Sequence, residues 1–226
     1  MLKNLKAYRN IYIAQKGLVV AMSPAKFESR KFVSVDPSKC TGCGICEYAC
    51  TLEKGEAACN PIKSRIRVVR MTPLFNFALA CRFCEDAKCV TACPEKALTQ
   101  SEKTGILTVN EKKCKGCDWC IQACPHGGIT LHPEKGIAIA CDLCDGEPKC
   151  VEFCPEEALE IVSTDTEAEE RFGRALEKLP AEIERLTNAV KNKDWKPLLA
   201  EAEKRSIKVT EKLEALNKKA TKESQK

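Results

Sequence analysis

Apolar and polar positions change period along the chain, and each period predicts a different kind of element. Residues 31–36 (KFVSVD) and 158–162 (ALEIV) alternate over strand length, so two short strands are predicted there. Between them, Ala97–Thr99 and Ile106–Asn110 flank the turn Lys103-Thr104-Gly105, a hairpin signature, and residues 129–140 (ITLHPEKGIAIA) read as another hairpin. From Asp165 onward the period lengthens. Phe172, Leu176, Leu179, Ile183, Leu186 and Val190 fall at steps of four and three. Trp195, Leu199, Ala202, Val209, Leu213 and Leu216 form a second seam after a break at 192–197, which predicts an antiparallel helical hairpin. Asp165 or Thr166 is the expected cap, with Glu167, Glu169 and Glu170 at the positive end, and Pro180 should kink or divide the first helix. No run reaches the eighteen or so apolar residues of a membrane span, because Gln15 and Lys16 interrupt IYIAQKGLVVAM.

These short elements cannot make an ordinary core, since aromatic residues are 5% of the chain. Cysteine fills the gap. Sixteen of the 17 fall into four groups: Cys40, Cys43, Cys46, Cys50; Cys81, Cys84, Cys89, Cys93; Cys114, Cys117, Cys120, Cys124; and Cys141, Cys144, Cys150, Cys154. The third group, CKGCDWCIQACP, has two-residue gaps, then a three-residue gap, then proline, the run that binds a [4Fe-4S] cubane and sends its fourth cysteine to a second cluster. Three cysteines in a tight turn can wrap three iron corners, and the fourth iron faces away from them. Groups two and four have longer gaps, Glu85–Lys88 and Asp145–Lys149, and Cys50 is followed by Thr51 rather than proline. Four [4Fe-4S] clusters are the simplest inventory that uses all sixteen. Disulfides belong to small secreted chains, and residues 1–22 lack a clean cleavage signal. Zinc suits paired two-residue gaps, but accounts poorly for three close cysteines plus a fourth before proline.

Residues 81–124, from CRFCEDAKCVTACPEKAL to KCKGCDWCIQACP, resemble a bacterial two-cluster ferredoxin. All four groups together, over roughly 33–164 or about 130 of 226 residues, resemble the four-cluster electron-transfer subunits that serve dimethyl sulfoxide reductase-like enzymes, hydrogenases, carbon monoxide dehydrogenase and tungsten aldehyde oxidoreductases. The resemblance implies an α+β fold of nested 2[4Fe-4S] ferredoxin-like lobes with short β-hairpins, here with a C-terminal α-helical hairpin. With the crossing rule, it implies the ligand sets Cys81, Cys84, Cys89, Cys124 and Cys114, Cys117, Cys120, Cys93 for an inner lobe. The outer lobe then takes Cys40, Cys43, Cys46, Cys154 and Cys141, Cys144, Cys150, Cys50. Sequential pairing of groups one with two and three with four is the alternative.

The expected organisation is an arm at 1–32, a four-cluster domain at 33–164 and a helical extension at 165–226 for docking or assembly. The formal charge of +5 invites a nucleic-acid reading, but four oxidised clusters with their thiolates bring the loaded protein to roughly −3. No nucleic-acid partner is expected. The run from Lys63 to Arg70 reads as a solvated face or a docking patch. Gly42, Gly44 and Gly116 either permit turns or let N–H groups approach sulfur, and Trp119 is placed to screen a cluster. With sixteen cysteines completing four cubanes, His126 and His132 are not needed as ligands, and Cys59 reads as a packed residue.

The expected function is electron transfer, with no chemistry on a substrate by this chain alone. Its expected partner is a large metal-containing catalytic subunit, first of the tungsten or molybdenum aldehyde oxidoreductase type. A second copy of the chain, through the C-terminal helices, and a soluble ferredoxin are further candidates. A cytoplasmic, anaerobic setting is expected. A stand-alone polyferredoxin or an iron–sulfur redox sensor is the rival reading.

Overall fold

Strands of three or four residues do not hold together alone in water, so each must be paired and backed by something else. The computed structural model describes residues 27, 29–55, 60–72 and 75–223; Cys59 and nearly all of the 1–32 arm lie outside them. In chain order the cysteine-rich region contains β1 (Phe32–Val35), α1 (Ile45–Glu53), β2 (Arg67–Thr72), β3 (Phe75–Leu79), α2 (Lys88–Thr91), β4 (Leu98–Gln100) and β5 (Leu107–Val109). It continues with α3 (Trp119–Ala123), β6 (Ile129–Leu131), β7 (Ala138–Ala140), α4 (Lys149–Glu152) and β8 (Leu159–Val162). Two long helices follow, α5 (Asp165–Asn192) and α6 (Lys196–Glu223).

The strands form antiparallel pairs: β1 with β8, β2 with β3, β4 with β5 and β6 with β7. Phe32 lies opposite Val162 and Val35 opposite Leu159, so the two ends of the cysteine-rich region close on each other. The β4–β5 and β6–β7 pairs occupy the segments where alternation predicts hairpins. The β2–β3 hairpin was not expected; its strand carries Arg67 and Arg70, which mask the alternation.

The largest fully buried side chains are few: Phe32, Phe83, Ile66 and Ile129. Each contributes about 1.5–3 kcal/mol of burial, which is small against the ordering entropy of a domain this size. Around them lie Phe75, Leu98, Leu107, Leu143 and Leu159 with small alanines and valines, and cysteine makes up much of what remains, with Cys46, Cys50, Cys81, Cys89, Cys120, Cys141, Cys150 and Cys154 all buried. Sulfur therefore occupies the space that aromatic rings fill elsewhere.

The cap of α5 is Thr164, not Asp165 or Thr166: its side chain accepts from Glu167 N, while Glu167 Oε2 accepts from Ser163 N. Asp165 is used elsewhere, in a pair with Arg30. Pro180 neither ends nor divides α5, which runs unbroken to Asn192. The carbonyl it leaves without a helical donor is that of Leu176, an exposed residue where water can take over. Phe172 meets Phe75 and Phe77 edge-on, with ring centroids 5.4–5.5 Å apart, and anchors the helix to β3. The first seam then splits. Phe172, Leu179 and Leu186 are half-buried, whereas Leu176, Ile183 and Val190 form an exposed stripe at steps of seven. Lys193 turns left-handed after α5, Arg185 Nη1 meets Glu201 Oε2 at 3.1 Å, and Lys212 Nζ donates to Cys154 O at 2.6 Å.

Candidate iron–sulfur sites

Each cysteine group begins with the same backbone turn. The second residue after its first cysteine has positive φ in all four: Gly42 (74°), Phe83 (50°), Gly116 (64°) and Leu143 (59°). This conformation bends the chain tightly enough to return the next cysteine beside the first. Glycine adopts it freely, while Phe83 and Leu143 bear a penalty of about 1–2 kcal/mol each, offset by burying their side chains. Gly116 has a second constraint, because a Cβ there would lie 2.2 Å from Gly136 O.

The fourth cysteines show what the proline does. Cys93, Cys124 and Cys154 each precede proline, which disfavours helical backbone at the cysteine, and α2, α3 and α4 end one or two residues before it. Three residues on, Lys96, Gly127 and Glu157 take positive φ. The chain thereby folds back, so that Ala97 N, Gly128 N and Ala158 N each donate to the sulfur at 3.3 Å. Cys50 lacks the proline and stays within α1. Its sulfur accepts from Arg65 N at 3.2 Å, a donor supplied by a distant segment. Such hydrogen bonds to sulfur raise the potential of a bound cluster.

The thiols that act on one another include partners from distant groups as well as from their own. Burial pushes Cys46 well above its usual range, and Glu47, Cys43, Cys40 and Cys154 add to it. Burial raises Cys150 too, followed by Cys141, Cys50, Cys46 and Cys144. Cys89 is pushed up to about 11 by burial and then by Cys124. Cys120 reaches about 11 through burial, with Cys114 and Cys93 adding. Each set therefore has a neighbour from a distant group: Cys154, Cys50, Cys124 or Cys93.

A [4Fe-4S] cluster is the cofactor that this donor set fits. Cys40, Cys43, Cys46 and Cys154 ring a cavity of about 340 Å³, counting its open mouth, whose other walls include Val68, Ala78, Ala158 and Leu159. The four thiols stand around this space rather than meeting at one point; among the described residues no three His, Cys, Asp or Glu form a single-ion site. Buried neighbouring thiols resist ionising together, and a metal's positive charge is what deprotonates them.

The basic run that reads as a solvated face or docking patch is largely engaged within the chain, with Lys63 buried and Arg70 left about half exposed. Arg70 Nε donates to Gly42 O at 2.7 Å, Arg65 Nη1 meets Asp142 Oδ2 at 2.5 Å, and Lys63 pairs with Glu134 at 2.9 Å. These side chains fasten β2 and its approach to the cysteine loops. Asp142 also binds Lys54 of the turn after α1, at 2.8 Å. Sequence reasoning missed one more clamp, Arg30. Its guanidinium is buried over the Phe32 ring, donates twice to Arg82 O (2.9 and 3.1 Å) and grips Asp165 with both forks (2.8 and 3.0 Å). Burial alone would raise the Asp165 carboxyl, but Arg30 and Arg82 bring it below its usual range. Stability from this pair is present at neutral pH and is lost as pH falls through the lowered Asp165 value. Arg30→Gln should cost about 2 kcal/mol, discounted for the half-exposed carboxylate, and Arg30→Lys should not restore it. Anaerobic denaturant midpoints of the parent and both variants at pH 7, with the iron content of each verified, check this.

His132 is buried, and its Nδ1 accepts from Glu134 N and Lys135 N at 3.2 Å, so it caps the β6–β7 turn. His126 sits beside Arg82, its pKa lowered by burial and then by that charge. Trp119 is 58% exposed and screens little.

Two family models match the chain: a 4Fe-4S dicluster domain over residues 72–164 and a 4Fe-4S binding domain over 33–51. The polyferredoxin-like subunit of an aliphatic sulfonate oxidoreductase from Pyrococcus furiosus is 45% identical over 139 residues, 60% of this chain and 80% of that one. The electron transport protein HydN of Escherichia coli K12 is 34% identical over 182 residues, 70% of this chain and 97% of that one. Among solved structures, the active-site complex BamBC of benzoyl-coenzyme A reductase with benzoyl-CoA aligns over 71% of this chain and 96% of that one, at 27% identity and a TM-score of 0.36. The cysteine runs, together with the Pyrococcus furiosus and Escherichia coli relatives, place the chain in the polyferredoxin-like family of 4Fe-4S electron-transport proteins.

Proposed function

We propose that the chain is the electron-conducting subunit of a multisubunit oxidoreductase and that its sixteen cysteines hold four [4Fe-4S] clusters in two nested lobes. A bound cluster takes up and releases one electron at a time. The proposed outer sets are Cys40, Cys43, Cys46, Cys154 and Cys141, Cys144, Cys150, Cys50. The inner sets are Cys81, Cys84, Cys89, Cys124 and Cys114, Cys117, Cys120, Cys93. The observation that carries this is the exchange of fourth cysteines: Cys50 acts on Cys150 and Cys154 on Cys46, across more than ninety residues of chain. Packing of α1 on α4 and of α2 on α3 supports the same nesting.

The sets also fall in a row. Cys46 of the first acts on Cys150 of the second, and Cys141 of the second acts on Cys81 of the third. The fourth is tied to the third by the exchange of Cys93 and Cys124. The row thus runs from the Cys40 set to the Cys114 set.

The partner we infer is a large catalytic subunit, of the tungsten or molybdenum aldehyde oxidoreductase type first. The Pyrococcus furiosus relative, named as a subunit of a sulfonate oxidoreductase, supports a catalytic partner in general. Helices α5 and α6 support a fixed rather than diffusing role, because α5 carries the exposed apolar stripe Leu176, Ile183 and Val190. No helix among the described residues is long and apolar enough to cross a membrane. Removing residues 176–226, which spares the Phe172 anchor, should leave the iron content unchanged and abolish co-purification of the catalytic subunit. Unchanged assembly would point instead to a stand-alone carrier or sensor.

A further inference from the structure

The two ends of the row meet the surface differently. Cys43 and Cys117 are the exposed thiols of the sixteen, and they belong to the first and last sets. At the Cys40 end, α5 and α6 form a cleft of about 500 Å³ against residues 37–41, and Lys212 reaches back to Cys154 O. At the other end, Cys117 and its neighbours Asp118 and Trp119 stay exposed among the described residues.

This end has a built loop of another character. Asn110 Oδ1 accepts from Lys112 N and Lys113 N at 3.1 and 3.2 Å, which holds the loop in one shape. Close approach of Gly116 to Gly136 O pins its other side. Lys112, Lys113 and Lys115 are all exposed on this loop, and the left-handed turn at Asp118 swings Trp119 outward beside Cys117. Of the loop's two acidic residues, Glu111 is 4.0 Å from Lys135 and Asp118 is exposed. Three exposed lysines and an exposed tryptophan on one loop, which also carries an exposed cysteine, combine a steering field with an aromatic anchor.

We propose that this surface docks a small acidic iron–sulfur carrier protein, which exchanges single electrons with the chain at the end opposite the catalytic subunit. The proposal rests on the row of four sets described above. Each encounter moves one electron, so the carrier is oxidised as the chain is reduced, or the reverse, and no atom is transferred. Lysines set the encounter rate, and Trp119 supplies the apolar contact, in an interface at the small end of the range for protein complexes.

The test uses the full chain with its clusters, immobilised anaerobically, and an acidic bacterial two-cluster ferredoxin as probe. Binding should weaken steeply with added salt. The triple variant K112E/K113E/K115E should lower affinity at low salt by about tenfold or more. Lys112→Glu alone, two residues from the nearest ligand, should give part of that loss, while K191E/K208E on the helices should give none. Absence of binding, binding by the triple variant equal to the parent's, or cross-links that map to α5 and α6 would overturn the docking surface. Iron content and the spectrum of the reduced protein report separately on the wire: if they match four clusters while docking fails, the row of clusters stands and this surface does not.

Discussion

Replacing Cys50 with alanine is expected to damage the cluster held by Cys141, Cys144 and Cys150, and to spare the one held by its sequence neighbours Cys40, Cys43 and Cys46. Cys50 lies within α1, which packs on α4, and its sulfur sits among Cys144, Cys141 and Cys150. The loss should be large, because one open iron corner either strips the cluster or converts it to a three-iron form. Iron should fall from roughly sixteen towards about twelve per chain for full loss of one cluster. Paramagnetic resonance identifies the cluster concerned. The spectrum missing from Cys50→Ala should match the one missing from Cys144→Ala and differ from that missing from Cys43→Ala. A match with Cys43→Ala would show that ligands do not cross between groups.

Removal of iron should unfold the cysteine-rich region. Its modest set of large buried side chains cannot offset the ordering of well over a hundred residues, and eight of its buried core positions are cysteine. Metal binding in small metal-held domains supplies on the order of 10 kcal/mol, comparable with the whole stability of a domain. Anaerobic chelation should therefore remove the ordered circular dichroism of residues 33–164 and the cooperative thermal transition with it. An iron-free form that kept a sharp transition would contradict the account. Acid should act in the same direction, because thiols raised by burial must lose protons to bind metal and reprotonate readily as pH falls.

Much of the fold is legible in the sequence where chemistry imposes spacing. The Cys-Pro steps at 93, 124 and 154 encode both the end of a helix and the N–H that reaches the sulfur, and Thr51 explains why α1 continues past Cys50 to Glu53. Alternation located β1 and β8, although β1 is buried on both faces and only Ser34 breaks its apolar run. It failed for β2, where arginines that look solvated reach back to carbonyl and carboxylate oxygens instead. Left-handed turns were visible at Gly42 and Gly116 but not at Phe83 and Leu143, where burial overrides backbone preference. The Thr164–Glu167 cap was readable as a capping box; the acidic residues after it drew the cap inward by one or two positions. Arg30 carries no local signal, because its partners lie 52 and 135 residues away.

Conduction through this chain requires four clusters close together along it. The direct test is quantitation of iron and acid-labile sulfide on anaerobically purified protein, joined to integration of the paramagnetic signal after full reduction. About sixteen irons, sixteen sulfides and four magnetically interacting spins per chain are predicted. Two clusters, non-interacting spins, or zinc in place of iron would contradict it.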